Sequence, residues 1–162
     1  MWTKLQRISR FIFLPAALAS CKASPDSSAA TSSAATGSSE APRALLGSAV
    51  YELGKLPVEK TDKGERRAVF EGQTATLDKL HAHITTLGPG LVSGEPRKHL
   101  QEEVIIVKEG TIEANFDGQA RIAGPGSVIF FQSNAVTFLR NVGTTPATYY
   151  VVYYYTPLTP KG

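Results

Sequence analysis

The chain has 162 residues, enough for one domain with appendages, and its formal net charge of +3 is small for that length. Its basic residues are interleaved with acids, as in Glu59-Lys60-Thr61-Asp62-Lys63-Gly64-Glu65-Arg66-Arg67, which excludes the clustered basic face that nucleic-acid binding requires. Cys21 is the only cysteine, so no internal disulfide can form and the globular part must be held by its core alone.

The first ten residues carry Lys4, Arg7 and Arg10 and no acid, and Phe11 to Ser20 is an apolar run that ends in Leu18-Ala19-Ser20-Cys21. A basic start, a short apolar stretch and small residues at its end predict an export signal over residues 1–20. The run is shorter than the roughly 20 apolar residues that span a bilayer. Leu-Ala-Ser-Cys in this position resembles the lipobox of bacterial lipoproteins, which implies cleavage before Cys21 and acylation of its thiol. The expected location is the bacterial cell envelope, with the chain anchored in a membrane through lipidated Cys21 and facing the periplasm; Lys22 is compatible with sorting to the outer membrane. Residues 21–45 are almost wholly Ser, Ala, Thr, Gly and Pro and have nothing large to bury. They are expected to form a flexible tether that reaches some tens of Å, at roughly 5–6 Å times the square root of its length.

From residue 46 to residue 160 the pattern is short strands separated by turn residues, with no helical period sustained for three turns. Strands are predicted near Ala49–Leu53, Arg67–Phe70, Leu80–Leu87, Glu103–Lys108, Thr111–Phe116, Gln119–Ala123, Ser127–Gln132, Ala135–Arg140 and Thr148–Tyr155, an all-β barrel or sandwich. Asp117-Gly118 between two alternating runs predicts a two-residue type I′ hairpin, because both positions need positive φ. Gly124-Pro125-Gly126 breaks the chain before the next strand. Val104-Ile105-Ile106-Val107 and Tyr149-Tyr150-Val151-Val152-Tyr153-Tyr154-Tyr155 are apolar on both faces, so a second layer or a partner is expected over the outer face, and a homodimer follows as an expectation.

His99, three intervening residues, Glu103, six residues and Gly110 is similar to the second half of the first cupin motif. Gly118, five residues, Gly124-Pro125-Gly126 and a closing Leu139-Arg140-Asn141 resemble the second, with Pro125 one place later than the pattern puts its proline. The resemblance covers about residues 80–155 and implies a double-stranded β-helix, or jelly roll, with a pocket inside the barrel. Matched residue by residue, the four metal-ligand positions of that family fall on Arg97, His99, Glu103 and Thr137.

Arg97 has no lone pair to give and Thr137 is a weak donor, so two of the four ligand positions are lost. Residues 97, 99, 101 and 103 share a parity, which on a strand would place Arg97, His99, Gln101 and Glu103 on one face. The expected site is a pocket lined by Arg97, His99, Gln101, Glu103 and Thr137 that takes a small polar or anionic molecule, such as a sugar acid or carboxylate, without an ordinary cupin metal. Arg97 suits carboxylate recognition through its planar fork and is also placed to neutralise Glu103. The alternative is a metal-dependent dioxygenase or isomerase that holds Fe, Mn or Zn through His99 and Glu103 with Gln101 or His83. His81-Ala82-His83 places two imidazoles on one strand face with no Glu at the motif distance, and reads first as a surface or strand-pair arrangement. No Gly-x-Ser-x-Gly elbow, phosphate loop or reactive thiol is present, and no residue is assigned a catalytic role by pattern.

Overall fold

The computed structural model describes residues 44–161; the expected export segment, Cys21 and the tether up to residue 43 lie outside the described residues. A short 3-10 turn at Leu53–Lys55 precedes ten strands: β1 (Glu59–Thr61), β2 (Gly64–Gly72), β3 (Lys79–Leu87), β4 (Arg97–Lys98), β5 (Glu102–Glu109), β6 (Ile112–Phe116), β7 (Gln119–Ala123), β8 (Val128–Phe131), β9 (Val136–Asn141) and β10 (Ala147–Tyr155). They form a six-stranded sheet in the order β1-β2-β3-β10-β5-β8 and a four-stranded sheet in the order β4-β9-β6-β7, with every pairing antiparallel. This is the jelly roll expected from the sequence. The last strand sits between β3 and β5 in the middle of the larger sheet, with Tyr149 and Val151 buried and Tyr150, Val152 and Tyr154 half-buried.

The inner face of the larger sheet is set by the register that pairs Val151 with both His83 and Ile105. Side chains at odd positions of β3, β5, β8 and β10 therefore point inward, and Leu87, Ile105, Val107, Phe131, Tyr149 and Val151 join Ile112, Ala114 and Leu139 of the smaller sheet in one core. On the outer face, Ile106, Val128 and Phe130 remain exposed at 40%, 66% and 58%, an apolar strip along the edge strand β8.

Two turns show why these strands end where they do. Asp117 and Gly118 have φ of 47° and 79°, the double positive φ of a type I′ turn, and Phe116 pairs with Gln119 across it. Gly110 has φ of 81°, and a Cβ there would stand 2.6 Å from the Cα of Ala147, so the β5–β6 turn packs on the start of β10 in a way only glycine allows.

The structure departs from expectation in three places. Ala49–Leu53 is not a strand: Val50 is 90% exposed, Tyr51 leans on Phe70 at a ring-centroid distance of 5.4 Å, and the segment finds no ladder partner. The β1–β2 hairpin lies instead within the charged run at 59–67 and extends the larger sheet. The single strand face expected for residues 97–103 is interrupted, because β4 ends at Lys98 on the smaller sheet and β5 begins at Glu102 on the larger one.

Candidate functional site

Between the two sheets lies a cavity of about 400 Å³. Core side chains such as Leu87, Ile105, Phe131 and Leu139 form part of its wall, and the β1–β2 hairpin (Thr61, Asp62, Lys63) and the segment Ser93–Glu95 contribute to its rim. Its charged and polar lining includes Arg66, His83, Arg97, His99, Glu103, Thr137 and Tyr149.

Of the five residues expected to line a pocket, four do. Arg97 lies directly across the β4–β9 pairing from Thr137, and His99 and Glu103 face the same space. Gln101 is buried beside them and acts as a brace: its amide donates to Glu103 Oε1 at 3.2 Å and lies 3.2 Å from His99 Nδ1, while its carbonyl accepts the Tyr155 hydroxyl at 3.0 Å. The interruption of the strand at 99–101 is what permits this, since the chain crosses from one sheet to the other there.

Arg97 does not pair with Glu103 directly, which corrects the expected counter-charge. Its Nε donates to His99 Nε2 at 3.3 Å. On the other side of the ring, His99 Nδ1 lies 3.2 Å from the Gln101 amide nitrogen and 3.6 Å from Glu103 Oε1. Guanidinium, imidazole and carboxylate thus stand in series, with the histidine between the charges.

A second series lies on β2 and β3 of the larger sheet, and sequence reading passed over two of its members, Arg66 and Glu71. His81 Nδ1 is 2.7 Å from Glu71 Oε2, its Nε2 is 3.3 Å from Arg66 Nη2 and 3.0 Å from His83 Nδ1, and its ring stacks on Tyr153 at 4.4 Å. The pair expected at the surface or between strands is therefore turned inward: His81 is buried and His83 lines the cavity. Arg66 and Glu71 are an odd number of residues apart, and simple alternation would put them on opposite faces. The register shift between Ala68 and Phe70 in the β2–β3 pairing brings both onto the inner face, with Arg66 opposite Thr85 and Glu71 opposite His81.

Burial shapes the acid–base chemistry here. His83 is lowered from 6.5 to about 4 by burial, with the nearby charges of Arg66 and His81 acting in the same direction. Burial also pushes the Tyr149 hydroxyl far above its ordinary range, against a hydrogen bond from Thr85, with Glu103 adding to the rise. Glu71 is held below the usual carboxylate range, chiefly by its hydrogen bond to His81. The unfolded chain protonates His83 near 6.5 and the folded protein only near 4, so this contribution to stability is intact above pH 6.5 and is lost as pH falls toward 4. The loss is at most about 1.4 kcal/mol per pH unit. Thermal unfolding across that window is expected to show a shallower pH slope in His83→Gln than in wild type; equal slopes would contradict the burial of a neutral imidazole.

The residues present do not fit the divalent metal common in this fold. Among the described residues no group of three His, Cys, Asp or Glu side chains converges as a metal site. His99 has the Arg97 guanidinium against Nε2 and the Gln101 amide nitrogen against Nδ1, and Thr137 and Arg97 fill the remaining positions. Protein purified without chelators is expected to contain Fe, Mn and Zn well below stoichiometry by elemental analysis; one equivalent would overturn this reading of the donors.

Residues 83–153 match the family described as the cupin domain. The fold is similar to an RmlC-like cupin from Shewanella frigidimarina (18% identity, 68% of this chain and 95% of that one, TM-score 0.55). It is also similar to a sugar phosphate isomerase of the cupin superfamily from Silicibacter pomeroyi (20% identity, 67% and 77%, TM-score 0.54). A third is the polyketide cyclase RemF from Streptomyces resistomycificus (17% identity, 69% and 82%, TM-score 0.55). Identities this low speak to the fold alone. Comparison with curated proteins finds no match. A jelly roll with two antiparallel sheets, the two half-motifs at Glu103–Gly110 and Gly118–Asn141, and the match over residues 83–153 together identify a cupin domain in this chain.

Proposed function

We propose that this chain is a cell-envelope cupin that binds a small anionic molecule, of the sugar-acid or carboxylate type, in its barrel cavity. The observation that supports this reading is the pair of guanidinium groups, Arg66 and Arg97, that line one cavity while touching imidazoles and, among the described residues, no carboxylate within ion-pair distance. Arginine forks favour planar anions, with Arg66 half-buried and Arg97 exposed at the edge of the cavity. Of the four acids that line the cavity, Asp62, Glu65, Glu95 and Glu103, two have partners of their own: Lys60 and Arg67 for Glu65, Gln101 and His99 for Glu103. A thermal-shift series with citrate, glucuronate and the neutral sugar glucose tests it. Anions should raise the melting temperature and glucose should not; no shift with any anion would sink the proposal.

Anchoring belongs to the same proposal and rests on the sequence around Cys21. Acylation with more than one chain would hold the protein stably at a membrane, since a single chain is marginal. Metabolic labelling with a fatty acid in a bacterial host should mark wild type and leave Cys21→Ala unlabelled, with the variant moving to the soluble fraction. Label retained in Cys21→Ala would contradict lipidation at this residue.

A further inference from the structure

We infer that Glu71, His81 and His83 form a proton relay from the cavity to solvent, in which His83 Nε2 accepts a proton from a bound hydroxy or keto acid. The inference rests on the anionic-ligand reading for the molecule that gives up the proton, and on the geometry alone for the relay.

The hydrogen-bond directions follow from two fixed ends. Glu71 as a carboxylate only accepts, so His81 Nδ1, 2.7 Å away, carries a proton. Arg66 only donates, so His81 Nε2, 3.3 Å from its Nη2, carries the lone pair. With that lone pair established, His83 Nδ1 at 3.0 Å must be the donor, and the remaining nitrogen of His83, Nε2, is left bare. Every fully buried polar side-chain atom among the described residues has a hydrogen-bond partner. Among the described residues His83 Nε2 has none, so it is open, and His83 lines the cavity. The arrangement is rigid: His81 is clamped by Glu71, Arg66 and the stacked ring of Tyr153 at 4.4 Å.

The far end is open as well. The Glu71 side chain is 50% exposed, so the string runs from the cavity to bulk water. In the forward step a proton leaves the ligand, its bonding pair stays on the ligand, and an N–H bond forms at His83 Nε2. The His83 Nδ1 proton passes to His81 Nε2, the His81 Nδ1 proton passes to Glu71, and Glu71 releases it to water. Both imidazoles end neutral, with their protons on Nε2. That state sets a His81 N–H against an Arg66 N–H, so the relay is driven back when a proton is returned to the ligand. A device that takes a proton and gives it back suits reversible proton transfer beside a carboxylate, as in isomerisation or racemisation of a hydroxy or keto acid. The charged and titratable groups on the inner face around His83 are Arg66 and Glu71 on β2, His81 on β3, Tyr149 and Tyr153 on β10, and Glu103 on β5. Lowered basicity keeps His83 neutral and able to accept at neutral pH.

The chain has three histidines, so nitrogen NMR of the 15N-labelled full chain can assign each imidazole. At pH 7 His81 and His83 should both carry the proton on Nδ1, and His83 should stay neutral down to about pH 5. In Glu71→Gln the fixed tautomers of both rings should be lost, seen as movement of their nitrogen signals, while citrate binding by calorimetry stays within about twofold of wild type. A His83 proton on Nε2 in wild type, a doubly protonated His83 at pH 7, or unmoved His83 signals in Glu71→Gln would each overturn the relay. Citrate that fails to bind wild type would count against the anionic-ligand reading and leave the tautomers to decide the relay.

Discussion

Asn141→Ala is expected to lower the melting temperature by on the order of 10–15 °C, with a native-like barrel at low temperature. Asn141 is fully buried at 0% exposure, and its amide has each of its groups committed. Nδ2 donates to the Leu87 carbonyl at 2.9 Å and to the Thr145 carbonyl at 2.8 Å, and Oδ1 accepts from the Gly143 N–H at 2.9 Å. These bonds tie the end of β9 to the end of β3 and to the turn that starts β10. Alanine would strip partners from two carbonyls and one N–H in a region with little water to replace them, at about 1 kcal/mol each. The resulting loss of about 3 kcal/mol is a large part of the 5–15 kcal/mol typical of a domain. Asn141→Asp keeps the shape but presents a carboxylate to two carbonyls, and protonation restores one donor. It should therefore be the worse variant at pH 7 and recover relative to Asn141→Ala at pH 4. Thermal denaturation of both at the two pH values checks this, and a drop of only a degree or two in Asn141→Ala would refute it.

Asn141 also shows what could be read before the structure. It was found as the closing residue of a motif, and its place in the fold follows from local rules of turns and alternation. The Asp117-Gly118 hairpin was legible for a similar reason, since positive φ at two successive residues is a local demand. Ala49–Leu53 misled because an apolar run resembles a strand whether or not a partner edge is available, and the edge here is taken by β1. The two-residue β4 leaves no sequence signal of its own, because only its pairing with β9 defines it.

The site was legible in one series and hidden in the other. Arg97, His99, Gln101, Glu103 and Thr137 were found through spacing, although the strand alternation used to group them is broken at 99–101. Arg66 lay within a mixed charge run beside Arg67, and nothing local says which of the two turns inward. The register sends Arg66 to the cavity and lets Arg67 reach the Leu56 carbonyl at 3.1 Å. Glu71 joins Arg66 only because of the bulge between them, which no periodicity could anticipate. For His83 the question was which face of β3 is covered, and pairing with the central strand β10 answers it.

Arg66→Ala and Arg97→Ala should each weaken citrate or glucuronate binding by about 10- to 100-fold, and the double variant should abolish it at millimolar ligand. A hydrogen bond to a charged partner is worth about 1.5–3 kcal/mol, which corresponds to that range. The two arginines come from opposite walls, β2 and β4, and contact different imidazoles, so their effects should be close to additive in free energy. Arg97→Lys separates charge from shape: it keeps the cation but loses the fork, and should recover only part of the affinity for a planar carboxylate. Raising the salt concentration should weaken the Arg97 contribution more than that of Arg66, because Arg97 is exposed and Arg66 is half-buried. Neither arginine bears on the core cluster, so the melting temperatures of the single variants should stay near wild type and the affinity loss can be assigned to the ligand. Calorimetric titration decides the matter, and anion binding that survives in the double variant would place the ligand somewhere other than between these two guanidinium groups.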